Sequence, residues 1–177
     1  MLSISTIIVF MVIIHIICAI VLMFLWMQNR SRYQGTGLWA ANLALKAAGL
    51  LLIVLRGTIP LWMATVFATT LFVVGEIMLY QGLGVFLQVR VRQLHNMVIL
   101  AFYVLVHGYF SIITASLATR NLILSAAWLF ICMQSVWLLF VRIKSEFRFL
   151  TLSTGISLGL YSVINMVRII DYFIYPN

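Results

Sequence analysis

STIIVFMVIIHIICAIVLMFLWM, running from Ser5 to Met27, decides the fold. A run of this length, interrupted by a single ionisable side chain at His15, meets the roughly 20 residues that an α-helix needs to cross about 30 Å of hydrocarbon. Nothing basic precedes it and no small-residue cleavage pattern follows it. It therefore reads as a retained anchor rather than a signal peptide.

The same signature recurs along the chain, from about Leu38 to Leu55, Leu61 to Leu87, Asn96 to Ala115, Asn121 to Val141 and Phe149 to Ile170. The spacing predicts an all-α, polytopic transmembrane bundle of six helices forming a single domain over residues 1–177. Composition leads to the same class. Of the 177 residues, 65% are apolar and 8% are charged, whereas a soluble domain carries about a quarter charged residues. Such a chain could not clothe itself against water, but lipid accepts apolar side chains on every outer face. The lipid bilayer is its expected partner. The third run is the longest and is expected to tilt or to project beyond the membrane, with Gly82 and Gly84 as places where it bends. Short gaps between runs predict that consecutive helices pack as antiparallel hairpins.

A net charge of +8 would suggest nucleic acid in a soluble protein. Here the basic residues fall in the gaps and read as topology signals, so no nucleic-acid partner is expected. Arg30, Arg32, Arg90, Arg92, Arg142, Lys144 and Arg148 occupy the odd gaps, against Glu146, while Arg56, Arg120 and Arg168 occupy the even side. The excess on the odd side places it in the cytoplasm and both termini outside. Trp26, Trp39 and Trp137 near one set of ends, with Trp62, Tyr172 and Tyr175 near the other, suit interfacial belts. Cys18 and Cys132 each sit inside an apolar run and make no disulfide framework or zinc site.

Ionisable residues within membrane spans cost a few kcal/mol each and are functional candidates for that reason. His15, Lys46, Glu76 and His107 are the four. Lys46 and Glu76, on consecutive antiparallel helices, are expected to form a buried ion pair that fixes register or switches between states. His15 and His107 lie at similar depth on different helices, the arrangement a bis-imidazole haem b would need; hydrogen bonding to neighbouring helices is the more ordinary role, and no cofactor is expected. Retinal attachment at Lys46 has no other feature in its favour. Arg56 and Arg168 stand on the side where the charge rule disfavours them. Together they could hold a carboxylate or phosphate of an anionic or polar small ligand; alternatively Arg168 pairs with Asp171 and Arg56 reaches lipid headgroups.

Gly155-x-x-x-Gly159 permits close helix approach, as a packing surface or a homodimer face. Gly35 and Gly37 form no phosphate loop. With three acidic residues and no metalloprotease or Ser-His-Asp pattern, enzymatic activity in this chain is not expected.

Three segments remain: Arg32-Tyr33-Gln34-Gly35-Thr36-Gly37-Leu38-Trp39-Ala40, Leu55-Arg56-Gly57-Thr58-Ile59-Pro60 and Tyr80-Gln81-Gly82-Leu83-Gly84-Val85-Phe86-Leu87. Their order resembles the N-terminal multi-helix sensor modules, of seven-helix type, found ahead of GGDEF diguanylate cyclase or histidine kinase domains in bacterial signalling proteins. The likeness covers the stretch from Arg32 to Leu87, with Arg168 as a further match. It implies a sensory module of the bacterial inner membrane that acts on a cytoplasmic output domain, with a seventh helix and that domain beyond the present sequence. A small transporter or channel subunit is the alternative, and a membrane haem protein the second.

Overall fold

The computed structural model describes residues 4–30, 34–114, 116–141 and 148–174. They form six helices: α1 (Ile4–Asn29), α2 (Thr36–Val54), α3 (Ala68–Phe86, entered through a π-helical turn at Met63–Phe67), α4 (Leu94–Ile112), α5 (Leu117–Val141) and α6 (Arg148–Ile174). All six are long and apolar enough to cross a membrane, so the chain is a multi-pass transmembrane helical bundle. Arg32, Tyr33, Ala115, Arg142, Lys144, Glu146 and Tyr175 lie outside the described residues. Contacts divide the chain into two compact units, Met1–Gly82 and Leu83–Asn177.

In the first unit α1 packs along α2. It is apolar all round, with Val12 its buried side chain and most of the rest exposed, as suits a helix bathed in lipid. Trp26 lies against Gly37, where an added Cβ would stand 3.1 Å from the indole. The link from α2 to α3 is tight. Gly57 takes φ 104, the left-handed region that glycine enters without a Cβ clash, and Thr58 Oγ1 donates to the Leu55 carbonyl at 2.7 Å. Pro60 then opens the next helix, where its missing N–H is no loss. Thr65, Thr69 and Thr70 each donate to a carbonyl four residues back, which satisfies them inside the span and accompanies the wide π turn.

The helix runs unbroken through Gly82 and Gly84. Both glycines serve close contact. A Cβ at Gly82 would meet the Trp39 ring at 2.6 Å, and one at Gly84 would meet Val91 at 2.7 Å. Termination falls to Gln88, at φ 57, with Val89 N–H bonded to the Gly84 carbonyl at 2.8 Å, the six-to-one closure of a left-handed cap.

In the second unit α4 and α6 both pack on α5. Gly155 lies against α5: a Cβ there would stand 3.1 Å from the Phe140 ring. Gly159 faces open space. The first glycine of the pair thus serves packing within the chain.

Candidate functional site

The face that α2 turns to α3 carries Trp39, Asn42, Lys46 and Gly49, spaced so that all four line one helical stripe. Opposite them, in antiparallel order, stand Gly82, Gly75, Glu76 and the pair Phe72 and Ala68. Three of these contacts are made where only glycine leaves room, that of Gly82 with Trp39 among them. A Cβ on Gly75 would meet Asn42 Oδ1 at 2.7 Å, and one on Gly49 would meet the Ala68 carbonyl oxygen at 2.7 Å. The helices come close because those atoms are missing.

Between these close approaches Lys46 Nζ lies 2.6 Å from Glu76 Oε1. The carboxylate is 3% exposed and the lysine 21%, so Glu76 depends on its partner for nearly all of its solvation. A lone charge at that position would be strongly unfavourable; pairing and donation from the ammonium offset most of the cost. It is the ion pair formed among the described residues. One turn before Lys46, Asn42 is buried and its Oδ1 has no hydrogen-bond partner. A buried acceptor without a partner, one helical turn from an ion pair, is a costly arrangement in an apolar span and marks this stripe of α2 as a functional candidate.

The other candidates lie apart from this pair. Arg56 is exposed in the α2–α3 turn, at the end of the same hairpin. Arg168 is exposed on α6 of the second unit; Asp171 is also exposed, and the two make no ion pair among the described residues. His15, half-buried on α1, donates from Nδ1 to the Met11 carbonyl at 2.8 Å. His107 belongs to the second unit, buried, stacked on Tyr103 at 5.0 Å and in contact with Ser111 Oγ at 3.3 Å. Each imidazole is held by its own helix.

A second polar cluster was not evident from ionisable residues alone. His95 Nε2 donates to Gln134 Oε1 at 2.8 Å, Gln134 Nε2 donates to Asn96 Oδ1 at 3.0 Å, and Asn96 Nδ2 donates to Gln93 Oε1 at 3.2 Å. This chain of amides joins α4 to α5, and Asn96 is wholly buried within it. Interhelical hydrogen bonds of this kind contribute about 0.6 kcal/mol on average and up to about 1.7 kcal/mol. Asn96→Leu breaks two of them and leaves the Gln134 amide nitrogen without that acceptor, while the His95–Gln134 bond stays. It is expected to lower the stability of the purified protein by about 1–3 kcal/mol, read from unfolding in mixed detergent micelles. No loss would mean that the amides find other partners.

No family model, no curated protein and no solved structure matches this chain.

Proposed function

We propose that this chain is the sensory module of a bacterial inner-membrane receptor, with its N-terminus outside, which detects an extracytoplasmic anionic or polar ligand and passes the signal to a cytoplasmic output domain, a diguanylate cyclase or kinase, outside these residues. The observation that carries the reading is the buried Lys46–Glu76 pair on a hairpin whose connecting turn presents Arg56. An anion drawn to Arg56 would bear on both helices at once. Arg56 stands two residues beyond Val54, the end of α2, which is about 12 Å along the helix from Lys46, and the π-helical turn at the start of α3 offers a segment that can convert to regular helix and shift Glu76 past its partner. Sensing needs two packings with different ligand affinity, and a charge pair that is either made or broken separates two such packings by several kcal/mol.

The test uses the fluorescence of the protein in lipid nanodiscs, where Trp39 reports the α2–α3 contact, during titration with phosphate, acetate, citrate and amino acids. Arg56→Ala is expected to abolish the change caused by any of these that acts, with membrane insertion unaltered. A response that survives the substitution would remove Arg56 from the site.

One observation favours the transporter reading as well: the unpartnered Asn42 Oδ1 against Gly75, the residue before Glu76, suits a proton or cation path. Proteoliposomes carrying an internal pH dye separate the two readings. Uptake of protons that disappears in Glu76→Gln would speak for transport and against a purely sensory pair.

A further inference from the structure

Where α4 and α6 flank α5, a cleft of about 650 Å³ is lined by all three helices. Its floor is made by the small side chains Ala126 and Ala127 of α5, and its walls include Phe102 from α4 with Ile169 and Phe173 from α6. Phe102 is 65% exposed and Phe173 70%, so the cleft stands open along its length. An apolar cleft of this kind does not hold ordered water. In a membrane-spanning helix bundle, the molecules that meet it are lipid acyl chains.

One end is not apolar. Arg120 precedes Ile123, another lining residue, by three positions and Ala127 by seven, so it continues the same stripe of α5. It is partly buried, its Nε is buried without a hydrogen-bond partner, and it makes no ion pair among the described residues. Arg168 immediately precedes Ile169 on α6. Thr119 Oγ1 lies 3.4 Å from Tyr172 Oη, which sets the start of α5 level with the last turns of α6 and places both arginines at the same end of the cleft. Asp171 is exposed there and makes no ion pair among the described residues; one acid against two arginines leaves a net positive charge.

We infer that this cleft binds an anionic phospholipid of the surrounding bilayer, with one acyl chain along α5 and the phosphate held by Arg120 and Arg168. A guanidinium matches the phosphodiester oxygens in bidentate fashion, and basic pockets between transmembrane helices are suited to anionic headgroups. On the orientation favoured by the loop charges, these arginines stand on the disfavoured side, where a phosphate partner gives them a use. The inference is independent of the sensory reading, since it concerns the lipid and not a signal.

The experiment is native mass spectrometry of the delipidated chain in detergent, titrated with phosphatidylglycerol or phosphatidylcholine bearing the same acyl chains. Wild type is expected to retain phosphatidylglycerol about tenfold more strongly. The R120Q/R168Q double variant is expected to hold it no better than phosphatidylcholine. A126W, which fills the floor at an exposed position, is expected to reduce retention of both lipids, and A126L serves the same purpose with less bulk; L160W, on an exposed part of α6 outside the cleft, should change neither. Equal retention of the two lipids by wild type, or phosphatidylglycerol binding untouched by both Ala126 variants, overturns the proposal. Oleate bound with no preference between the two phospholipids would also overturn it, in favour of a free fatty acid.

Discussion

Lys46→Met is expected to destabilise the protein by about 3–5 kcal/mol, because it leaves the Glu76 carboxylate buried without its counter-charge. Glu76 is 3% exposed, and the neighbouring acceptor of Asn42 can offer a carboxylate nothing. Glu76→Leu is expected to be the milder single change. Lys46 is 21% exposed and its stem is long enough to move the ammonium toward better solvation. The double variant Lys46→Met/Glu76→Leu removes both charges and replaces them with apolar volume, so it should recover most of the loss, as buried pairs replaced by well-packed apolar residues commonly do. Equilibrium unfolding in mixed micelles, arranged as a double-mutant cycle, measures the coupling. Additive single effects would mean that the two charges are not energetically paired.

The same comparison bears on function. A pair kept only for stability could be exchanged for apolar residues with little consequence. A pair kept for switching could not: the double variant would be stable but locked in one packing. Stability and response should therefore separate in this variant, while they fall together in Lys46→Met.

The helices were legible in the sequence because the signal is an average. Some twenty apolar residues in a row need no knowledge of neighbours, and α1 could be read from its own composition. Glu76 and Lys46 were legible for a related reason: a charge in an apolar run has few ways to be tolerated, and the nearest opposite charge on an adjacent helix is the simplest. The role of particular glycines was less legible. Gly82 and Gly84 look like places for a long helix to bend, yet both lie at close contacts within α3, which ends at Phe86 just before Gln88 takes the left-handed conformation more common for glycine. What the sequence could not weigh is that Trp39 and Val91 need the space those glycines leave.

The amide chain from His95 to Gln93 escaped for another reason. Asn96 and Gln134 carry no charge, and a neutral amide in a membrane helix is cheap enough to seem incidental until its partners are in place. A polar residue at the start of one span and another within the next, in antiparallel register, was the available signal. The division into two compact units was likewise invisible, because it depends on which helix pairs touch and not on how apolar each one is.

Gly49→Ala is expected to lower stability by about 1–3 kcal/mol, in spite of alanine's better helix propensity, and Gly49→Val by more. The new Cβ would fall 2.6 Å from Phe72 Cε1 and 2.7 Å from the Ala68 carbonyl oxygen. The ring can turn aside; the carbonyl belongs to the helix backbone and cannot. Adding Phe72→Leu to Gly49→Ala should therefore relieve only the smaller part of the loss. Gly159→Ala supplies the comparison, since nothing lies within 4 Å of its Cβ position, and it should be neutral or stabilising by up to about 1 kcal/mol. The effect should also reach the ion pair. Gly49 is three residues from Lys46 on the same stripe, so helices forced apart at Gly49 must lengthen the Lys46–Glu76 contact. The coupling between the two charges, measured again in the Gly49→Ala background, should then be smaller than in wild type. An undiminished coupling would show that α2 and α3 can separate at Gly49 while remaining closed at the pair, and the hairpin would then bend instead of moving as a rigid whole.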